Sequence, residues 1–559
     1  MERIWLKNYD SGVPHSVEYP DINLYQLFAE IVQKYPEKPF TSFMGAALTY
    51  KEVFRLVNKF AGALASLGVK EGDKVAIHLP NCPQFIITYF AVFKLGAINV
   101  PCNPMYVARE MKHQLNDSGA ETVITLTRLY GMVKGIQKDT KVKNVIATGI
   151  KDYFPGKLRL LYTLFNEKKE GDRVALAAED HSFVDLVQRG DAASVTEITV
   201  KPEDHAVYMY TGGTTGLSKG AVLTHRNLVV NSYQLLNWLP ENNPGNESVM
   251  AVLPLFHSYG MTMCINFALI VAAKTVLLPR FDLKMILEAI QKEKVNYFPG
   301  VPTIYVAINN SPETPSYDLS SIKFCISAAA PLPVEVQSKF EQITGGKLIE
   351  GFGLSETSPV THTNPIVGPR KAGSIGLPMP DTDIKVVDVN TGEDLPLGEI
   401  GELCIKGPQV MDGYLNMPEE TARVLKDGWL KTGDIARIDE DGFTYIVDRK
   451  KDMIIAGGFN IYPRDIEEVL FTHPQIKEAV VTGIRDPYRG ETIKAYCVVK
   501  GEETLTEEEV IKYCKENLAA YKVPKLVEFR HELPKTMVGK VLRRVLREEE
   551  EKKLEEKSG

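Results

Sequence analysis

Between residues 210 and 220 the chain reads Tyr210-Thr-Gly-Gly-Thr-Thr-Gly-Leu-Ser-Lys-Gly220, with glycines, hydroxyls and one lysine crowded behind a short apolar strand, Ala206-Val-Tyr-Met-Tyr. This composition suits phosphate. Glycines let backbone N–H groups turn toward an anion, hydroxyls donate to its oxygens, and Lys219 supplies positive charge. The pattern is not the GxxxxGK[ST] loop of kinases and NTPases, because Ser218 stands where the glycine before the lysine belongs and Gly220 where Ser or Thr belongs. A second cluster, Glu350-Gly-Phe-Gly-Leu-Ser-Glu-Thr357, sets an aromatic ring, a hydroxyl and a carboxylate around a glycine-bent turn. An aromatic face suits a purine, and Mg²⁺ prefers carboxylate and phosphate oxygens. Four further segments carry less on their own. His257, in Leu253-Pro-Leu-Phe-His-Ser-Tyr-Gly260, equally fits a core position, and the small residues of Ser327-Ala-Ala-Ala-Pro-Leu332 suit close approach by a ligand. Thr432-Gly-Asp434 reads as a turn until Asp448-Arg-Lys-Lys-Asp452 follows it, and Pro534-Lys-Thr-Met-Val-Gly-Lys-Val-Leu-Arg-Arg544 reads as basic surface.

These groups need rigid elements beneath them, and the periodicity of the chain supplies an α/β framework. Apolar residues recur at helical spacing in Leu24, Leu27, Phe28, Ile31 and Val32, and again in Val53, Leu56, Val57, Phe60 and Leu64, with a short strand between them near Leu48. Lys74-Val-Ala-Ile-His-Leu predicts a buried strand, Phe85 to Leu95 a buried helix and Ala97-Ile-Asn-Val-Pro another strand, the rhythm of a parallel sheet. Val123-Ile-Thr-Leu and Val145-Ile-Ala-Thr continue it. Ile384-Lys-Val-Val-Asp-Val and Glu402-Leu-Cys-Ile-Lys predict β-structure, and Asp441-Gly442 a hairpin turn. After Lys451 the pattern restarts with helices at 464–471 and 506–518 and strands at 478–481 and 495–499; the charged tail after Lys540 predicts a solvated helical end. The expected fold is α/β: a large N-terminal domain over 1–448, built of α/β subdomains with a β-rich part, and a small α+β C-terminal domain over 449–559.

Composition removes other classes. The 559 residues are 44% apolar and 25% charged, which fits several domains with ordinary cores. A net charge of -7 gives no global reason to bind nucleic acid. Seven scattered cysteines without a CxxC pair argue against a disulfide framework or a structural zinc site and predict a reducing, cytoplasmic setting. No apolar leader follows Met1, and the run Met261 to Ala273 falls short of the roughly 20 residues that span a bilayer. The segment Lys151 to Glu170 combines an apolar face with flanking Lys and Arg. It is expected to pack that face on its own domain, with contact to a membrane surface or a partner as the alternative. Trp238 is expected in the core rather than as the gate of an acyl tunnel.

In this order, the motifs resemble those of the acyl-adenylate-forming superfamily, which includes acyl-CoA synthetases, firefly luciferase and the adenylation domains of peptide synthetases. The likeness spans almost the whole chain, with Gly212 where Ser is common and Ser218 where Pro is common. It implies an ATP site in which Thr211, Gly213, Thr214, Thr215, Gly216 and Lys219 hold phosphates, Phe352 stacks on adenine, Glu350 and Gly351 also line the nucleotide site, and Ser355 reaches the α-phosphate. Asp434 and Arg449 take the ribose, while Thr211 and Glu356 bind Mg²⁺. His257, Ala328, Ala329 and Gly351 border the acyl pocket, and Gly458 leaves room for the thiol arm of coenzyme A. Lys540 matches the catalytic lysine, Lys219 the cation on the leaving pyrophosphate, and Lys451 the hinge about which a mobile small domain turns.

The resemblance implies two steps: a carboxylate attacks the α-phosphorus of ATP to give acyl-AMP and pyrophosphate, then a thiol releases AMP. Among its branches the chain looks most like long-chain fatty acyl-CoA synthetases, through Pro20-Asp-Ile-Asn-Leu-Tyr-Gln-Leu-Phe and the 151–170 insertion. The alternatives are a ligase for medium-chain, branched or aryl acids and, in another class, a non-catalytic acyl- or nucleotide-binding protein. Retention of Lys540, Glu356, Asp434 and Lys219 together argues against the last. The implied partners are fatty acid, ATP and coenzyme A, with peripheral membrane contact and a homodimer both left open.

Overall fold

The computed structural model describes residues 2–195, 199–211, 218–239, 242–450, 452–456, 459–486, 490–501, 505–536 and 541–558. Its first long helix, Leu24–Lys34, begins at a capping box in which Asn23 and Gln26 each accept the other's backbone N–H. The apolar stripe read from the sequence is buried beneath it. Thr49 and Glu52 repeat the device at the start of Tyr50–Ser66. Between the helices lie two antiparallel strands rather than one, Pro39–Phe43 and Ala46–Thr49. They turn at Met44 and Gly45, which both have positive φ, as a tight two-residue hairpin requires.

The central sheet has eight described strands, in the order Gly413–Tyr414, Lys219–Thr224, His205–Thr211, Ile98–Pro101, Lys74–His78, Thr122–Leu126, Asn144–Thr148 and His181–Ser182. From His205–Thr211 onward the neighbours run parallel, and the two strands at the other edge are antiparallel. Both faces are covered, which is why these strands read as nearly continuous apolar runs. Val75, Ile77, Ile124, Ile146, Met209 and Leu223 enter one core, whereas Ala76, Val123, Val145, Tyr208 and Val222 enter another on the opposite face. The larger core is shared with the sheet of Ser248–Ala251, Lys274–Leu277 and Pro39–Phe43, and with the sheet of Phe324–Ser327, Lys347–Gly353 and Val360–Thr363. Bridges through Tyr297 join those two sheets.

The expected β-rich part is a sheet built on Asp383–Val387, Gly401–Lys406 and Trp429–Ile438, onto which Thr444–Arg449 folds back at Asp441-Gly442. Gly442 has φ +85°, and a Cβ there would come within 2.6 Å of the buried Trp5 side chain. Beyond residue 452, Ile454–Ala456, Ile476–Asp486, Gly490–Val499 and Leu526–Phe529 share another sheet. One of its faces packs on Pro463–Phe471 and Glu507–Asn517 through Ile466, Leu470, Val510 and Cys514. Val480, Tyr496 and Val498 face Leu533 and Leu546 on the other.

Three local expectations meet the structure differently. Trp238 is a core residue, 1% exposed, whose ring stands edge-on to Tyr9 at 5.1 Å. The run from Met261 is not one helix: Ser258–Met261 passes into a π-helical segment, Thr262–Phe267, and then Ala268–Ile270. No described helix is long and apolar enough to cross a membrane. The expectation that the 151–170 segment packs its apolar face on its own domain needs correction, because the helix Gly156–Phe165 contains no buried residue. Only its inner side is engaged, chiefly through Tyr162, whose ring is perpendicular to Phe154 at 5.6 Å.

Candidate active site

The glycine-rich loop joins two antiparallel strands, with Thr211 directly opposite Lys219. The residues that flank it are therefore paired strand ends. The next helix starts only at His225, so the loop does not open onto a helix N-terminus as an NTPase phosphate loop does. Thr211 and Lys219 are half-buried at its base; Gly213, Thr214, Thr215 and Gly216 lie outside the described residues.

Lys219 is already paired. Its ammonium forms an ion pair with Glu420 on the helix Pro418–Val424, and Glu420 also takes Arg423 at 2.6 Å. These two cations, Arg423 first, hold the Glu420 carboxyl below its ordinary pKa. The Lys219 ammonium also stands 5.2 Å from the centre of the Tyr414 ring, and the Tyr414 hydroxyl donates to Glu356 Oε1 at 2.8 Å. Burial, then the Glu356 charge, push the Tyr414 phenol well up, so it remains a donor. Tyr414 thus couples the two residues read from sequence as the pyrophosphate and Mg²⁺ ligands. It arrives by backbone pairing, Tyr414 opposite Ala221 and Gly413 opposite Val222. A Cβ at Gly413 would lie 2.6 Å from the Thr421 side chain, so glycine lets that helix close on the strand.

The second cluster lies at the end of Lys347–Gly353. A Cβ on Gly351 would approach Ile326 to 2.8 Å, and one on Gly353 would sit 2.0 Å from the Pro359 carbonyl oxygen. Both glycines are therefore required by packing. Phe352 is half-buried, with its ring edge-on to the buried His362 at 6.1 Å. Ser355 Oγ is 3.3 Å from Ser258 Oγ, which ties this turn to the His257 segment. His257 caps Ser258–Met261, its Nδ1 accepting the Tyr259 N–H at 3.3 Å. Glu350 pairs in register with Ser327, beside Ala328 and Ala329, and Ala329 is held at φ +71°. Burial pushes the Glu350 carboxyl up to about 7, against the pull of Arg464.

Asp434 and Arg449 face each other across the hairpin, so their sequence spacing is a cross-strand register. Arg449 Nε meets Asp434 Oδ1 at 2.9 Å, and this pairing raises the guanidinium pKa; Glu356 contributes in the same direction, which puts it within electrostatic reach of the pair. Thr432 Oγ1 accepts the Asp434 N–H at 3.1 Å. Asp434 is 1% exposed, yet its Oδ2 accepts no hydrogen bond from the described residues. A buried carboxylate oxygen without a donor is costly unless a ligand supplies one. Next along the chain, Asp448 accepts the backbone N–H groups of Arg449 at 2.6 Å and Arg464 at 2.9 Å, while burial lifts its carboxyl to about 6. Lys451, Gly458 and Lys540 lie outside the described residues.

Among the described residues, no three His, Cys, Asp or Glu side chains converge as a metal site. Glu356 fits a Mg²⁺ that takes most of its oxygens from phosphate and water, the usual habit of that ion. Sequence reasoning missed Tyr414, Glu420 and Arg423; the signal was the stretch Gly413-Tyr-Leu-Asn-Met-Pro-Glu-Glu420, where a turn glycine precedes an aromatic and two acids.

The chain matches the AMP-binding enzyme family over residues 28–415 and the AMP-binding enzyme C-terminal domain over residues 465–540. It is 45% identical over 550 residues to a long-chain-fatty-acid–CoA ligase of Bacillus subtilis (strain 168), covering 98% of each chain. A ligase of the same description from Yersinia pestis is 39% identical over 558 residues, 99% of each chain. The fold is similar to that of ATP-bound MatB from Rhodopseudomonas palustris, with a TM-score of 0.82 and 29% identity over 94% of this chain and 99% of that one.

Proposed function

Because this chain belongs to the AMP-binding enzyme family, we propose that it is an AMP-forming acyl-CoA synthetase for long-chain fatty acids. A carboxylate oxygen attacks the α-phosphorus of ATP, the bond from that phosphorus to the bridging oxygen breaks, and pyrophosphate leaves behind an acyl-AMP anhydride. The sulfur of coenzyme A then attacks the acyl carbonyl; the thiol loses its proton, and AMP departs with the acyl–phosphate oxygen. The first step drives an anion into a polyanion, so positive charge at the phosphates governs its rate.

In this reading the ribose hydroxyls donate to Asp434 Oδ2, Arg449 stands beside the sugar, and Phe352 stacks on adenine next to Glu350 and Gly351. Ser355 and the loop residues Thr211, Gly213, Thr214, Thr215 and Gly216 take the phosphates. Lys219 stabilises the leaving pyrophosphate once that anion replaces Glu420 on its ammonium. Mg²⁺, when bound, neutralises phosphate charge, and Glu356 with Thr211 are the residues to hold it. Lys540 bridges the substrate carboxylate and the α-phosphate, Gly458 admits the thiol arm, and rotation at Lys451, between domains 1–448 and 449–559, exchanges them. His257, Ala328, Ala329 and Gly351 border the acyl chain, where burial contributes about 0.8 kcal/mol per CH₂ and so favours long acids. The ligase descriptions of the Bacillus and Yersinia relatives support that chain length.

The observation that carries the nucleotide assignment is the buried, undonated Asp434 Oδ2 beside Arg449. The test is product analysis with ATP, Mg²⁺, coenzyme A and saturated acids of graded length. Equimolar AMP and acyl-CoA, fastest with long chains, is the expected result. A maximum with short or aryl acids would move the substrate class, and formation of ADP would end the proposal.

A further inference from the structure

Helix Gly156–Phe165 exposes four large apolar side chains on two successive turns: Leu160 is 61% exposed, Leu161 52%, Leu164 65% and Phe165 70%. At 3.6 residues per turn they form one stripe, with Lys157 a turn before it on the same face, while Lys168 and Lys169 lie in the turn that follows the helix. The opposite side ties the helix down. Tyr162 donates its hydroxyl to Asp172 at 2.5 Å and receives Arg128 at 3.1 Å, and Lys151 donates to Thr163 at 2.8 Å. The stripe is thus a fixed feature of the surface.

The charges around it are sorted. Glu167 is paired with Lys151 at 2.7 Å and Arg173 at 3.5 Å, Glu170 with Arg128 at 3.4 Å, and Asp172 with Arg128 at 2.7 Å. Asp152 accepts from the Thr148 hydroxyl and the Gly149 amide. Lys157, Lys168 and Lys169 are exposed and have no ion-pair partner among the described residues. Glu167, Glu170 and Asp172 each meet a cation, whereas Lys157 before the apolar stripe and Lys168 and Lys169 after it are unpaired among the described residues, on a protein whose net charge is -7.

We propose that this helix docks the protein on an anionic phospholipid bilayer, with Leu160, Leu161, Leu164 and Phe165 entering the headgroup–acyl boundary and the three lysines meeting lipid phosphates. Apolar area and complementary charge act together in this mode, and neither is sufficient alone. The commitment to lipid rests on those three lysines, and it stands apart from the reaction assigned to the cleft.

The full chain is sedimented with vesicles of phosphatidylcholine alone and of phosphatidylcholine mixed with phosphatidylglycerol. Preferential binding to the mixed vesicles, weakened by salt, is expected. Leu161→Glu with Leu164→Glu, and separately Lys157→Gln with Lys168→Gln and Lys169→Gln, should each lower vesicle partitioning about tenfold or more, while turnover of a water-soluble acid stays unchanged. Absence of binding to anionic vesicles, or binding that neither variant alters, overturns the proposal. So does a dimer, seen by sedimentation without lipid, that the leucine substitutions dissociate, since the stripe would then belong to a second copy.

Discussion

The two ends of the proposed nucleotide site are prepared in opposite ways. At the ribose end, Asp434 is locked by Arg449 and Thr432 and keeps one buried oxygen open to a donor. At the phosphate end, the Lys219 ammonium is covered by Glu420, which Arg423 also holds. The first arrangement is preorganised and loses little when a sugar arrives. The second must exchange one anion for another. On the proposed assignment, nucleoside contacts set affinity, whereas the Lys219 exchange acts when charge builds on the leaving group. The Glu420 carboxylate pairs the Lys219 cation in the protein without ATP.

The comparison breaks most visibly at Lys219. Lys219→Ala should lower kcat of adenylation by about 10² to 10³, with a smaller change in KM for ATP, because the lost charge acts mainly in the transition state. Rapid-quench measurement of acyl-AMP formation separates this from a binding defect. Asp434→Asn should do the reverse, raising KM for ATP by roughly 10- to 100-fold through loss of a charged acceptor, with kcat changed less. If both variants moved the same parameter, the division of labour would be wrong.

Glu350 sharpens the nucleoside side. Its folded pKa of about 7 lies above the ordinary 4.5, so the folded protein keeps a proton that the unfolded chain has released. Stability contributed by that proton is full below about 4.5 and falls as pH rises toward about 7. Glu350→Gln should flatten this decline and leave the variant more stable than the parent at pH 8, on the order of 2 kcal/mol, in urea titrations at both ends of the range. The smallest effect is expected at Glu420. Glu420→Gln should raise kcat of adenylation and lower the inhibition constant of pyrophosphate by about threefold to tenfold, corresponding to roughly one net charged hydrogen bond no longer in competition. A lower kcat or a higher inhibition constant would mean that Glu420 supports Lys219 instead of competing for it.

Sequence alone carried those parts of the fold in which local chemistry repeats. The helical spacing of apolar residues at 24–32 and 53–64 and the apolar runs at 74–78, 122–126 and 144–148 lead directly to the observed helices and strands. The Asp434–Arg449 pair was legible through the resemblance of its motifs, and the hairpin register supplies the physical reason that the two residues meet. Tyr414 and Glu420 left only a turn glycine, an aromatic and two acids in the sequence, with nothing to show what they meet. They meet a lysine 201 residues away from Glu420 through a two-residue edge strand too short to leave a periodic signal. The helix at 156–165 shows a different limit: spacing reveals that an apolar face exists, while what covers it depends on tertiary packing. Its inner contacts come from Asp172 and Arg128, outside the segment itself.

The account depends most on an acid reacting at the α-phosphorus before any thiol takes part. Exchange of labelled pyrophosphate into ATP, measured without coenzyme A, reads that event alone. A long-chain fatty acid should stimulate the exchange, and Lys219→Ala should suppress it. Absence of exchange with every carboxylic acid supplied, in protein that still binds ATP, would contradict the account.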